Sequence, residues 1–86
     1  MNSKVDVVIV NWNSGVQLLE CIRSLANCAS QYIGKVIVVD NGSVDGSDNC
    51  VEGFAGLEVV VIRAGANLGF GKACNLGAKY SGCDYI

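Results

Sequence analysis

Eighty-six residues, 51% of them hydrophobic, set the size of at most one domain with a thin core and favour a folded chain over a disordered one. A net charge of −2 without a basic patch argues against nucleic acid as the main partner. The five cysteines at 21, 28, 50, 74 and 83 form no C-x-x-C pair and the chain has no histidine, so zinc and a disulfide framework lack support. Reduced thiols acting as small core hydrophobes are the expectation.

Val5 to Val10 reads as the first strand, with Val7 to Val10 as its apolar centre. No secretory h-region precedes it, and the longest apolar runs are four residues, too short for a membrane span. Asn11-Trp12-Asn13-Ser14-Gly15 breaks the pattern. Ser14 with Gln17 three positions on fits a capping box. Leu18, Ile22, Leu25 and Ala29 then recur at helical spacing, predicting a helix from about Gly15 to Cys28.

After Gly34 comes the stretch on which the rest of the chain depends. Lys35 to Asp40 is a strand whose four apolar residues, Val36 to Val39, show no polar alternation, so it is expected to be buried on both faces. It empties into Asp40-Asn41-Gly42-Ser43-Val44-Asp45-Gly46-Ser47, a small polar loop. Asp45 to Phe54 reads as a weaker helix, capped by Asp45 or Ser47, kept short by Gly53 and Gly56, with Val51 and Phe54 turned inward. Glu58 to Arg63 is the third strand. A glycine-rich loop, Ala64 to Gly71, leads to a helix on which Phe70, Ala73, Gly77 and Tyr80 share a face, with Gly82 as its stop. A fourth strand begins near Asp84, and a chain ending one step into a strand reads as a piece of a longer protein.

Strand and helix alternate, and each connection exceeds the dozen residues that a parallel crossover needs. The expectation is an α/β fold, a Rossmann-like parallel sheet with helices on both faces, in spatial order 3-2-1 with the fourth strand beside the first. The strands end in Asn11, Asp40 and Arg63, so three polar exits gather on one edge, where open parallel sheets bind ligands.

The phosphate-binding loops that usually occupy such an edge do not fit. A dinucleotide fingerprint needs G-x-G-x-x-G straight after the first strand, and the loop there holds one glycine. Gly69-Phe70-Gly71 follows the third strand instead, with Cys74 where the last glycine belongs. A P-loop fails because Ala66 and Ala73 replace its glycine and its hydroxyl residue. Without histidine, no serine has a triad base.

Three segments carry a resemblance. Val7-Val-Ile-Val-Asn-Trp-Asn13, Val36-Ile-Val-Val-Asp-Asn-Gly-Ser-Val-Asp-Gly-Ser47 and Asn67-Leu-Gly-Phe-Gly-Lys-Ala-Cys-Asn-Leu-Gly77 resemble the family 2 glycosyltransferases with the GT-A fold, in the family's order and spacing. The second and third look most like the bacterial rhamnosyltransferase branch. The resemblance implies an inverting transfer of a sugar, with rhamnose a candidate, from a nucleotide diphosphate donor (dTDP or UDP) to a glycan or lipid-linked acceptor. It makes residues 1–86 the nucleotide-sugar-binding N-terminal part of the domain, cut at the start of strand 4.

The resemblance also implies roles for nucleotide-binding residues. Asn11 and Trp12 lie in the loop that holds base and ribose, and Trp12 is either a stacking face for the base or a core aromatic at the sheet edge. Asp40 and Asn41 match a pair that is often two acids, and either is an acceptor for the N3–H of uracil or thymine; the alternative is an Asx turn with helix capping. Asp45 reads as a helix cap and Arg63 as a solvated charge. Asn67 and Lys72 sit in the loop that approaches the donor, Lys72 facing the diphosphate or simply water. Ala73-Cys74-Asn75 stands where many members carry Ala-Arg-Asn. Gly69 and Gly71 mean backbone freedom.

The family's metal motif, Asp-x-Asp or Asn-Pro-Asp, and its catalytic base belong after residue 86. A divalent metal (Mg or Mn) is thus expected in the full-length enzyme, with none bound by this piece alone, which should not transfer sugar. The resemblance implies a cytoplasmic enzyme, at the inner face of the membrane if associated with it. An open first-strand edge invites self-association. Two other readings stand beside it: a non-catalytic nucleotide-binding module or truncated-gene remnant, and half of a dinucleotide-dependent oxidoreductase, which the first loop disfavours.

Overall fold

The computed structural model describes residues 4–47, 49–51 and 53–81. Strand β1 (Val5–Asn11) leads to helix α1 (Val16–Ala29), a 3-10 turn (Ser30–Tyr32) and strand β2 (Ile33–Asp40). A second 3-10 turn (Asn49–Val51), strand β3 (Val59–Arg63) and helix α2 (Phe70–Ala78) follow. The sheet runs β1-β2-β3 and both pairings are parallel, which bears out the α/β expectation and the order 3-2-1. The expected fourth strand, the Gly82 stop and the Cys83 thiol lie outside the described residues.

β2 is central because its sequence suits no other place. Val36, Ile37, Val38 and Val39 are all fully buried. Strand alternation sends Val36 and Val38 to one side, where they pack with Leu18 and Ile22 of α1 and with Val51. Ile37 and Val39 go to the other side, against Ala73 of α2. Burying each such side chain stabilises the fold by about 1.5–3 kcal/mol relative to exposure. Without this two-sided strand neither helix would have a face to cover.

α1 keeps the predicted spacing. Leu18 and Ile22 are buried and Leu25 packs beside them; of Ala29 only the backbone is described. Its start differs from the capping box. Gln17 N–H donates to the Ser14 backbone carbonyl at 3.2 Å, and the side chain at the helix entrance is Asp45, which accepts the Gly15 N–H at 2.9 Å. A carboxylate there also suits the helix dipole.

The Asp45–Phe54 helix does not form; one 3-10 turn takes its place. Gly46, Gly53 and Gly56 have φ of 80°, 69° and 105°, outside the helical range. Asp45 accepts the Ser47 N–H in a local turn at 3.0 Å rather than capping a following helix. Val51 is nonetheless buried and Phe54 packs on the core, as expected.

α2 is also corrected. It ends at Ala78, and Phe70 and Tyr80 are exposed, so the face against the sheet consists of Ala73 and Gly77 with Leu76 beside them. Gly77 sets how closely the helix approaches: a Cβ there would lie 2.5 Å from Val8 Cγ1 and 3.0 Å from Val39 Cγ2. Nor do all thiols fill the core, since Cys21 is exposed and Cys74 only half-buried. The Cys28 and Cys50 side chains lie outside the described residues.

β2 starts earlier than predicted because a bulge admits Ile33 and Gly34. Val5 pairs with Ile33 but Val7 pairs with Val36, so Gly34 and Lys35 together oppose Asp6. The buried Asp6 carboxylate accepts the Lys35 N–H at 3.0 Å and the Ser81 hydroxyl at 2.7 Å. That ties the amino end of the sheet to the chain beyond α2, far from the polar edge.

Candidate functional site

The three polar exits do meet. Asn11 pairs in register with Asp40, and Asp40 with Arg63, at the carboxyl end of the sheet. The backbone continues the tie past the strands: Asn41 N–H donates to the Asn11 carbonyl at 2.8 Å and Ala64 N–H to the Asp40 carbonyl at 2.9 Å.

Alternation then separates Asp40 from Asn41. Asp40 continues the Val36–Val38 side and joins Asn11, which continues the Val7–Ile9 side of β1. Asn11 Nδ2 donates to Asp40 Oδ1 at 2.9 Å, to Ser47 Oγ at 2.9 Å and to Ser43 Oγ at 3.2 Å. Two amide hydrogens thus serve three acceptors. Asp40 Oδ2 accepts the Ser43 N–H at 3.0 Å. Asn11, Asp40 and Ser47 are all buried, and the carboxylate orders the turn of its own loop. Asn11 Oδ1 is buried without a hydrogen-bond partner among the described residues.

Asn41 turns to the other side and meets the third loop. Its Nδ2 donates to Asn67 Oδ1 at 3.1 Å, and its Oδ1 accepts the Leu68 N–H at 2.8 Å. Asn67 Oδ1 also accepts the Gly69 N–H at 2.9 Å, at the entrance to α2. Gly42, at φ 90°, lets the loops touch: a Cβ there would lie 3.2 Å from the Ala66 carbonyl carbon.

The first two loops are latched by Asn13, Ser43 and Asp45. Asn13 takes a left-handed φ of 50°, which asparagine tolerates better than most residues. Its N–H donates to Ser43 Oγ at 2.9 Å and its Oδ1 accepts the Val44 N–H at 2.8 Å. Asp45 accepts the Ser47 hydroxyl at 2.6 Å as well as the Gly15 amide. The Ser47 hydroxyl, then the Ser47 N–H, hold its pKa below the ordinary 3.8, against a smaller opposing effect of desolvation.

Of the sequence-predicted site residues, Asn11, Asp40, Asn41 and Asn67 belong to this hydrogen-bonded lattice. Trp12 follows β1 directly and is 57% exposed, so it is not a core aromatic. Lys72 is exposed in the first turn of α2. Arg63 is exposed and donates to Asn49 Oδ1 at 3.0 Å. Sequence reasoning missed Asn13 as a latch; its only signal was an asparagine two residues before a glycine.

A metal ion does not fit the described residues. No three His, Cys, Asp or Glu side chains among them come together, and the carboxylates of Asp40 and Asp45 already accept N–H or O–H donors. No described helix is long and apolar enough to cross a membrane.

This edge offers hydrogen-bonding groups and the exposed Trp12 ring. The family model described as "Glycosyl transferase family 2" matches residues 6–86, while no curated protein matches the chain. Family 2 enzymes take nucleotide-sugar donors, and the parallel sheet with its flanking helices is consistent with the N-terminal part of the GT-A fold. The match spans every described strand and helix except the first residue of β1, and the chain belongs to glycosyl transferase family 2.

Proposed function

We propose that the carboxyl edge of the sheet binds the nucleoside diphosphate of an activated sugar, as the donor-recognition part of an inverting glycosyltransferase. The carrying observation is Trp12: a large ring, 57% exposed, directly after β1 and beside a buried polar lattice. An exposed tryptophan gains by stacking on a flat, partly apolar ring. Asn41 and the third loop meet the edge of the base, while Asp40 shapes the loop on the other side. Lys72, in the first turn of α2, faces the diphosphate. A pyrimidine base (UDP or dTDP) is favoured, since a purine is larger and offers a different edge. Rhamnose is the candidate sugar and a glycan or lipid-linked molecule the acceptor, with the enzyme working in the cytoplasm. In this reading Mg or Mn and the catalytic base are supplied by residues other than the described ones; the alternative is a nucleotide-binding module without turnover.

Calorimetric titration of UDP, dTDP, ADP and GDP into the purified chain tests this. Binding of the pyrimidine diphosphates, weakened in folded Trp12→Ala, supports the proposal. No nucleotide binding, or equal binding by Trp12→Ala, overturns it. Sugar transfer by the 86-residue chain would refute the assignment of metal and base to other residues.

A further inference from the structure

Asn41 is followed by Gly42, and that pair carries a reaction of its own. In mild base a glycine nitrogen, which no side chain shields, attacks the side-chain amide carbon of a preceding asparagine. Gly42 N loses its proton to base and bonds to Asn41 Cγ. The Cγ–Nδ2 bond breaks, the proton returns to the departing nitrogen, and ammonia leaves. Water then opens the five-membered imide at either carbonyl. One product is aspartate. In the other, isoaspartate, the backbone runs through Cβ and Cγ and is one carbon longer.

The folded edge opposes the first step. The Asn41 side chain is 3% exposed, which leaves the amide carbon without solvent. Its Oδ1 accepts the Leu68 N–H at 2.8 Å and its Nδ2 donates to Asn67 Oδ1 at 3.1 Å. Closing the ring makes Cγ tetrahedral and turns it toward Gly42 N, so both bonds must break. We propose that Asn41–Gly42 is a deamidation site that reacts only when the second and third loops part, so that opening of this edge is recorded as a lasting covalent change. Neither product restores the contact. Aspartate sets a carboxylate oxygen against Asn67 Oδ1, where the amide now donates. Isoaspartate adds a carbon between Asp40, in register with Asn11 and Arg63, and Gly42, whose added Cβ would lie 3.2 Å from the Ala66 backbone. The inference stands apart from the nucleotide reading.

The test incubates the chain at mildly alkaline pH, with and without urea, and reads conversion at position 41 by peptide fragmentation. The folded chain should react at least about tenfold more slowly than the chain in urea, as local opening limits it. Equal rates overturn the inference. Asn67→Ala removes the acceptor of Asn41 Nδ2. It should speed conversion about 5- to 100-fold and lower the hydrogen-exchange protection of the Leu68 amide by the same factor, because one opening limits both. Conversion that stays at the wild-type rate while Leu68 protection falls overturns the inference. Gly77→Ala weakens the fold through α2, away from these loops, and should leave conversion within about twofold of wild type. If Gly77→Ala speeds conversion in step with its lower urea midpoint, the reaction belongs to the unfolded chain and the inference fails. The comparison with and without urea needs no variant, so it decides the matter even if Asn67→Ala misfolds.

Discussion

Asn11 and Asp40 face each other across β1 and β2, with Asn11 Nδ2 donating to Asp40 Oδ1 at 2.9 Å and both side chains buried. Losing a buried partner costs about 1–3 kcal/mol, and more when the stranded group is charged. In Asn11→Ala the carboxylate, Ser43 and Ser47 all lose a donor. Removing the unpartnered Asn11 Oδ1 returns part of that cost. The expected net loss is about 1–3 kcal/mol, read as a lower urea midpoint at unchanged m. Asn11→Asp should be worse near neutral pH, because two buried carboxylates then touch, and its deficit should shrink in acid. An Asn11→Ala midpoint equal to wild type would show that the lattice contributes nothing.

Gly77 sets the contact between α2 and the sheet. The methyl added in Gly77→Ala would meet Val8 and Val39, β-branched residues with little rotamer freedom. Overpacking costs about 1–3 kcal/mol, against a gain of up to about 1 kcal/mol from better helix propensity. The balance should be a loss of about 1–2 kcal/mol and a Tm lower by about 5–15 °C in a thermal melt. A Tm at or above wild type would mean that α2 can shift away at no cost.

The sheet was legible because Val36–Val39 allow no other placement, and because Asn11, Asp40 and Arg63 each end an apolar run. What was not legible depended on long-range choices. Asp45 is a plausible local cap in sequence, but it caps α1, thirty residues away from Gly15 in the chain. Phe70 and Tyr80 have helical spacing with Ala73, yet the close approach at Gly77 leaves them exposed. Asp40 and Asn41 read as a pair, and the two-residue period of a strand sends them to opposite sides.

Asp45 gives the fold a pH dependence of known sign. Its folded pKa lies below 3.8, so as pH falls the unfolded chain takes up the proton first. The stability from its charged form is present in full well above 3.8 and is lost as pH falls through the lowered folded value. Asp45→Asn carries no such titration. Urea midpoints measured from about pH 5 to pH 2 should therefore fall more steeply for wild type than for Asp45→Asn. Parallel curves would show that the Ser47 and Gly15 contacts do not persist in solution.

Gly42 joins the second loop to the third at the point where Asn41 meets Asn67 and Leu68. Two effects oppose a side chain there. Its φ of 90° is strained for any other residue, and a Cβ would lie 3.2 and 3.3 Å from the backbone of Ala66, which cannot swing aside as a flexible side chain would. Gly65 separates the two effects, since its φ is 80° but nothing lies within 4 Å of its Cβ position. Gly65→Ala should show the backbone strain alone, on the order of 1–2 kcal/mol. Gly42→Ala should cost more by denaturant titration, and it should also speed hydrogen exchange at the Leu68 amide by pushing the loops apart. Equal losses in the two variants, with Leu68 exchange unchanged, would mean that the contact between the loops is incidental and that Asn41 is held by its own hydrogen bonds alone.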